Sequence, residues 1–301
     1  MKFKNIYLIL FASTLVVSAC KKEKLDANSV FVDSTIEKNP LDNYIYNNYV
    51  LNYNVDILYK YVDKESSLNY NLLPASYTSS IRLTKLFKYL GFEPYDEVTG
   101  SKIFIKQYFP KLINFIGSAA YNNNGTRILG TAEGAKKITL YEVNSLNATT
   151  GVNPDFLTDS YFHTIHHEFQ HILNQTTDFP SSFQAISGNT YVDDIWSTVW
   201  GTGAAGNGAA LAAGFISPYA SSSAKEDFAE LYSFYITLSA AQFNAMLNVT
   251  GSTAAGRTII NNKLIAVKNY MLTVWNIDMD VLRANIVNRK ANLATFDQTS
   301  L

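Results

Sequence analysis

The spacing of apolar residues divides the chain into a first part of mixed helices and strands and a second part that is mainly helical. Apolar positions recur at helical intervals in residues 41–52 and again in residues 79–90, where Gly91 is the predicted end of the helix. Between these helices a strand is predicted by apolar residues at alternate positions, namely Val55, Ile57, Tyr59 and Tyr61.

A β pattern replaces the helical pattern between residues 111 and 143. The segments 111–121 and 126–134 flank Asn124-Gly125, a dipeptide that strongly favours the turn of a β-hairpin. Residues 136–143 add a further strand. We therefore expect a small, mostly antiparallel sheet.

The chain from Asn153 onward has the pattern of a helical half. Asn153-Pro154 is typical of a helix start, and the helical period of apolar residues continues to Ile172. An irregular region is expected after Gln175, and the glycine-rich stretch 201–214 favours a mobile loop or a close approach of two backbones. Further helices are predicted at residues 224–238, 241–247, 254–274 and 279–289. The fold class is α+β, with a small sheet ahead of the long helix that starts at Asn153.

Composition and charge narrow the class of protein. The chain has 301 residues, of which 47% are hydrophobic, so it can bury a sizeable core. The net charge is only −1 and charged residues make up 16% of the chain, so no basic surface for nucleic acid is predicted. Partners must therefore be inferred from individual sites.

The N-terminal residues have the layout of a secretion signal. Lys2 and Lys4 precede an apolar run too short for a stable membrane span, and the run ends in Val-Ser-Ala-Cys at Cys20. Cys20 is the only cysteine, which excludes an internal disulfide and a cysteine-rich zinc site. The Val-Ser-Ala-Cys segment resembles the lipobox of bacterial lipoproteins, which implies a signal peptide at 1–19, an acylated (for example palmitoylated) Cys20 and a polar tether at 20–30. The alternative is an ordinary signal peptide that lies near a cysteine.

All four histidines lie between positions 163 and 171, and His167-Glu168-Phe169-Gln170-His171 forms the motif H-E-x-x-H. Because residues four apart share one helix face, His167 and His171 can bind one zinc ion, and Glu168 is placed to take a proton from a metal-activated water. Two alternatives stay open: a metal pair of His163 and His167, or histidines that only satisfy hydrogen bonds. His163 and His166 are otherwise expected to be outer or exposed groups, with a substrate contact possible for either.

A catalytic zinc site needs a third protein ligand, and the absence of a fifth histidine makes this ligand a carboxylate. Glu226 and Glu230 stand four residues apart on a predicted helix, so one could bind the ion while the other accepts the outer N–H of a ligand histidine. Asp227 is an alternative ligand, and all three acids could instead cover a solvated helix face. Tyr219 could donate a hydrogen bond to an oxyanion in the same cleft.

Several segments together resemble the zinc-binding metallopeptidase lipoproteins of bacteria. These are "HHEFQHIL" at 166–173, "GFISPYASSSAKEDFAEL" at 214–231, the lipoprotein signal and the tyrosine-rich segment 41–61. The layout is also similar to that of the gluzincins. The resemblance implies one zincin-like domain at 31–301 in which His167, His171 and Glu226 bind one Zn²⁺. It also implies that Glu168 is the general base and that Glu230 lies in the outer shell of the zinc.

The sequence therefore predicts an extracytoplasmic zinc metallopeptidase that is tethered by lipid to a bacterial membrane, with the outer membrane favoured. Its expected partners are a peptide or protein substrate and the membrane. Nucleic acid is not an expected partner. The alternative is a non-catalytic lipoprotein that binds peptide or glycan and carries a structural or relic zinc site. A metal-dependent hydrolase of a non-peptide bond is a third possibility, because the motif specifies the activated water more closely than the substrate.

Overall fold

The structure is a computed structural model that describes residues 37–67, 69–121, 127–133, 136–201 and 203–301. Two long helices and a short sheet form the N-terminal part of its fold. Residues 39–301 pack as one unit. The predicted signal peptide, Cys20 and the tether lie outside the described residues. Within the described ranges, no helix has both the length and the apolar character needed to cross a membrane.

The first helix, α1, follows the prediction for residues 41–52. It begins at Pro40–Ile45, continues through the wider turns of Tyr46–Val50 and ends at Leu51–Tyr53. Asn39 caps its start, since the Asn39 side chain accepts from Asp42 N while the Asp42 carboxylate accepts from Asn39 N. Of the predicted strand that follows, only β1 (Asp56–Leu58) forms.

The second helix, α2, is longer than the sequence predicted. It runs from Tyr77–Leu86 through the wider turns of Phe87–Phe92 into Glu93–Thr99. The predicted end at Gly91 is wrong, because Gly91 lies within those wider turns and the backbone stays helical there. The helix ends at Gly100, whose φ of +68° is the left-handed conformation that glycine adopts readily. A short helix, α3 (Ile103–Tyr108), leads to the sheet.

The main sheet is mostly parallel, so the predicted mostly antiparallel sheet is wrong. Its strands follow the order β1, β2 (Leu112–Phe115), β6 (Lys137–Leu140) and β5 (Gly130–Glu133). β2 is parallel to both β1 and β6, and only β5 is antiparallel to its neighbour. The physical reason is the connection: α2 and α3 lie between β1 and β2, and a long helical crossover returns the chain in the same direction.

The predicted hairpin pairs a shorter stretch than expected. Residues Ala120–Tyr121 (β3) and Arg127–Ile128 (β4) form an antiparallel two-stranded ladder. The Asn124-Gly125 turn itself lies outside the described residues. The two flanking segments also contribute β2 and β5 to the main sheet, where residues such as Ile113 are buried.

The C-terminal half is helical, as predicted. The helix α4 starts at Pro154–Leu157, passes through the wider turns of Thr158–Phe162 and continues as His163–Thr176. The remaining helices are α5 (Ser181–Ser187), α6 (Trp196–Trp200), α7 (Gly203–Ala212), α8 (Ala224–Thr237), α9 (Ala240–Leu247), α10 (Ala254–Trp275) and α11 (Met279–Ala291).

Two expectations about the region after Gln175 need correction. The region is not irregular, since α5 and α6 lie in it. The glycine-rich stretch forms the helix α7, so the predicted mobile loop is wrong. The alternative prediction for this stretch, a close approach of two backbones, is confirmed. A Cβ atom on Gly208 would lie 2.2 Å from the carbonyl oxygen of Thr250.

A second close approach places the sheet edge against α4. A Cβ atom on Gly130 in β5 would lie 2.8 Å from the Thr164 side chain on α4 and 3.0 Å from the Thr139 carbonyl oxygen. The lack of a side chain at position 130 therefore lets the edge strand touch the helix that carries the histidines.

Candidate metal centre

The histidines lie on one helix because the apolar residues around them pack into the core. Ile165, Phe169 and Leu173 on α4 are each 0–1% exposed and fix the rotation of the helix. With that side buried, His163, His167 and His171 form a row, one turn apart, along a neighbouring part of the helix surface. This row faces α8.

The facing helix presents two acids at the matching spacing. Ser223 caps α8, its side chain accepting from Glu226 N at 3.2 Å, so Glu226 lies in the first turn of the helix. Glu230 follows one turn later and is buried. The burial of Phe228 and Leu231 orients α8 so that both carboxylates point toward α4.

Three potential ligand atoms converge between the two helices. Oε2 of Glu226 lies 3.0 Å from Nε2 of His167 and 3.1 Å from Nε2 of His171. The two ring nitrogens are 3.0 Å apart. Ligand atoms at about 2.0–2.1 Å around a tetrahedral zinc ion are separated by about 3.3 Å, which is close to these distances. The donor set of two imidazoles and one carboxylate therefore fits a zinc ion.

Glu230 connects two of the histidines on the other side of His167. Its Oε1 lies 2.8 Å from Nε2 of His163 and 3.0 Å from Nδ1 of His167. Its Oε2 accepts a hydrogen bond from Ser217 Oγ at 2.6 Å. His163, His167 and Glu230 are thus a second group whose ligand atoms are close enough to hold an ion.

The carboxylates set the charge of the centre. Burial opposes protonation of His167, but Glu226 and Glu230 outweigh it and raise the pKa of His167 to about 10. Burial also opposes ionisation of the two acids, yet the contacts with His167 and His171 lower the pKa of Glu226, and those with His163 and His167 lower the pKa of Glu230. Both acids are therefore anionic, and the site favours a cation.

Glu168 and Tyr219 line a cleft next to these ligand atoms. The cleft has a volume of about 340 Å³, and its wall includes His167, Glu168, Trp196 and Tyr219. Burial raises the pKa of the Glu168 carboxyl and, with Glu226 nearby, raises that of the Tyr219 phenol. The Tyr219 ring lies 6.0 Å from the His167 ring and 5.5 Å from Trp196.

Asp227 lies away from the ligand atoms. It is buried, its Oδ2 is 2.6 Å from Nζ of Lys263, and Tyr191 donates a hydrogen bond to the same oxygen at 3.0 Å. Among the described residues, the groups able to hold a metal include Glu226 and Glu230 but not Asp227. The reason is the turn of about 100° between successive residues of a helix, which points Asp227 into the core.

The two remaining histidines have different surroundings. His166 is 1% exposed, its Nδ1 is 2.9 Å from the Tyr95 hydroxyl, and burial lowers its pKa to about 3. This burial removes His166 as a substrate contact. His163 contacts Glu230, lines the cleft, and its Nδ1 is 3.1 Å from Ser233 Oγ.

Four residues near the centre were not predicted from the sequence. Ser233 stands three residues after Glu230 and seven after Glu226, a spacing that places it on the same helix face and could have identified it. Ser217, Trp196 and Arg127 lie in segments that reach the centre only through the tertiary fold. No periodicity in the sequence marks them.

Comparisons with known proteins place the chain among relatives. Residues 34–280 match the family described as "Putative zinc-binding metallo-peptidase". A crystal structure at 2.10 Å of a putative zinc-binding metallo-peptidase from Bacteroides caccae is similar, with 36% sequence identity and a TM-score of 0.74. The match covers 90% of this chain and 99% of that one. No curated protein matches the chain.

Proposed function

This chain belongs to that family of zinc-binding metallopeptidases, and from this premise we propose that it hydrolyses peptide bonds with one zinc ion held by His167, His171 and Glu226. The observation that carries the proposal is the convergence of Nε2 of both histidines and Oε2 of Glu226 to within 3.0–3.1 Å of one another. Two imidazole nitrogens and one carboxylate oxygen at these separations are a donor set that catalytic zinc sites use, with the fourth position left for water. The proposed architecture is zincin-like.

The outer residues would fix the ligands. Oε1 of Glu230 lies 3.0 Å from Nδ1 of His167, so a proton on Nδ1 would face this carboxylate and would leave the Nε2 lone pair free for the zinc ion. Ser217 and His163 hold Glu230 in that position. A bound zinc ion would supply Lewis-acid activation of a water and of the peptide carbonyl.

Glu168 and Tyr219 would carry out the proton transfer and the oxyanion stabilisation. The raised pKa of Glu168 makes its carboxylate a stronger base for the attacking water, and the same group can then give the proton to the leaving amine. The raised pKa of Tyr219 keeps the phenol protonated, so it can donate a hydrogen bond to the oxyanion.

The decisive experiment is Glu168→Gln, with zinc content and peptide hydrolysis measured on the same sample. We expect unchanged zinc content and a loss of hydrolysis of at least about a hundredfold, the lower range for general acid–base catalysis. Glu37→Gln, at an exposed acid, is the matched control. Full activity in Glu168→Gln would remove Glu168 as the base. Zinc without turnover in the wild-type protein would favour the alternative of a binding protein.

We also propose that the chain is an extracytoplasmic lipoprotein anchored through Cys20. The support is the sequence alone: a charged start, a short apolar run and one cysteine after small residues. Metabolic labelling with an alkyne fatty acid should mark the wild-type protein in the membrane fraction and leave Cys20→Ala unlabelled. Label retained by Cys20→Ala would refute the anchor.

A further inference from the structure

We propose that Arg127 binds a carboxylate of the substrate, either an acidic side chain near the scissile bond or the C-terminal carboxylate. The inference rests on the proposed peptidase function and adds a substrate class to it. Arg127 lies on β4 and lines the same cleft as His167 and Glu168. Among the described residues that line this cleft, it is the single lysine or arginine.

The guanidinium is both held in place and open to a ligand. Its Nη1 lies 2.8 Å from Oε2 of Glu142, while its side chain remains 41% exposed. A guanidinium carries five N–H donors in a planar fork. The contact with Glu142 uses one terminal nitrogen, so the remaining N–H groups can donate to a second carboxylate.

Glu142 is itself fixed by the helix of the metal centre. Its backbone has φ 61° and ψ 26°, a left-handed conformation that is costly for a residue with a side chain. Three hydrogen bonds hold this backbone: Glu142 N donates to Ser118 O at 2.8 Å, and Glu142 O accepts from Ser145 N at 3.0 Å and from the Tyr161 hydroxyl at 3.1 Å. Tyr161 lies on α4, two residues before His163.

This chain of contacts sets Arg127 relative to the zinc ligands. Tyr161 fixes Glu142, Glu142 fixes Arg127, and α4 carries both Tyr161 and His167. A left-handed residue other than glycine, held by its surroundings, is typical of functional sites, and this favours a role for the Glu142–Arg127 pair at the cleft.

The size of the cleft limits where the carboxylate can be. A cavity of about 340 Å³ corresponds to a sphere about 9 Å across, which spans two to three extended residues at about 3.3–3.6 Å each. A substrate peptide with its scissile bond at the metal centre would therefore place its carboxylate within about two residues of that bond.

The test uses alanine–leucine octapeptides in which one Asp is moved through the sequence. Each peptide is compared with its Asn counterpart, and each is made with a free C-terminal carboxylate and as an amide. Affinity is measured on zinc-loaded Glu168→Gln protein, and kcat/KM on zinc-loaded wild-type protein. The Asp–Asn pairs report side-chain recognition, and the acid–amide pairs report recognition of the C-terminus.

We expect one carboxylate position to improve affinity and kcat/KM by about tenfold or more, as a charge-assisted hydrogen bond does. Arg127→Gln should reduce that ratio to near one, and Arg127→Lys should restore part of it, because lysine keeps the charge but not the fork. Arg257→Gln, on α10 and outside the cleft lining, is the matched control and should keep the ratio.

The outcomes separate the two proposals. No discrimination by the wild-type protein, or a ratio that Arg127→Gln leaves intact, would overturn the carboxylate site while hydrolysis still supports the peptidase. Discrimination in binding without any hydrolysis would overturn the peptidase and support the carboxylate site. Should Arg127→Gln fail to fold, the wild-type ratios and the Arg127→Lys variant give the same decision.

Discussion

The buried ion pair behind the metal centre offers a prediction whose magnitude follows from the structure. Lys263 and Asp227 have side chains that are 0% and 1% exposed, with Nζ and Oδ2 2.6 Å apart. Nζ of Lys263 also donates to Gly214 O at 2.7 Å and lies 4.1 Å from the centre of the Phe215 ring. Replacing Lys263 by Met would leave the Asp227 carboxylate buried with Tyr191 as its remaining partner.

An uncompensated buried charge costs about 3–5 kcal/mol, so Lys263→Met should lower the free energy of unfolding by that amount. For a unit of this size the melting temperature should fall by roughly 6–20 °C. The double variant Asp227→Asn/Lys263→Met removes both charges and should recover most of the loss. The interaction free energy between Asp227 and Lys263, obtained from the double-mutant cycle, should therefore be large and favourable.

Urea unfolding at pH 7.5 measures these values. Lys268→Met is the matched control on the same helix, because Lys268 pairs with Asp280 at the surface, where side-chain exposures are 31% and 63%. That control should lose no more than about 1 kcal/mol. A cost below 1 kcal/mol for Lys263→Met, or a double variant no more stable than the single one, would refute the reasoning.

The same double variant tests the alternative in which Asp227 is the third ligand. Below its melting temperature it should bind zinc like the wild-type protein, because Asp227 faces Lys263 and not the histidine rings. A strongly reduced zinc content in the folded double variant would instead favour Asp227 as a ligand.

Three further changes test other parts of the structure. Glu226→Gln should lose zinc, whereas Glu230→Gln should keep it with about 10–100-fold weaker affinity; equal losses in a zinc titration would contradict these roles. Burial raises the pKa of Asp96 to about 6, so the wild-type carboxyl destabilises the fold as pH rises from about 4 to 6. Asp96→Asn should therefore add about 1 kcal/mol of unfolding free energy at pH 7.5, after allowance for screening at this half-buried site, and almost nothing at pH 4; a gain independent of pH would contradict this. Gly208→Ala should destabilise by about 1–3 kcal/mol in urea unfolding, because its Cβ meets the Thr250 carbonyl oxygen; a gain, as helix propensity alone predicts, would refute the clash.

The helices were predictable where amphipathic periodicity and capping residues agree. α8, α10 and α11 begin at residues capped by Ser223, Thr253 and Asp278, and their apolar faces are continuous in the sequence. The direction of the strands was not predictable in the same way. A segment such as Leu112–Phe115 shows the same local pattern whether its neighbour is parallel or antiparallel, because the pairing depends on the path of the chain between strands.

The glycine-rich stretch shows a second limit of local reasoning. The glycines of α7 disfavour a helix and its small side chains have little apolar surface to pack, so the sequence predicted a loop or a close approach. The helix forms because its small residues allow contact with neighbouring backbone, as at Gly208 and Thr250. The segment that stabilises α7 lies about forty residues away in the chain, so the pattern of neighbouring residues in the sequence cannot predict this contact.

The histidine cluster illustrates what periodicity determines and what it leaves open. Three rings recur every four residues on α4, and two carboxylates recur every four residues on α8. Matching periods predict that the helices can pair along these rows, but not in which direction.

In the structure the rows interleave, and the partners lie in the order His171, Glu226, His167, Glu230 and His163. Because the later histidine meets the earlier glutamate, the two helices are antiparallel. His167 is the central member, with a carboxylate on each ring nitrogen at 3.0 Å. Each carboxylate lies between two rings: Glu226 lies between His171 and His167, the proposed ligands, and Glu230 lies between His167 and His163. The third histidine of the row, His163, therefore contacts the acid that lies beside the outer nitrogen of His167.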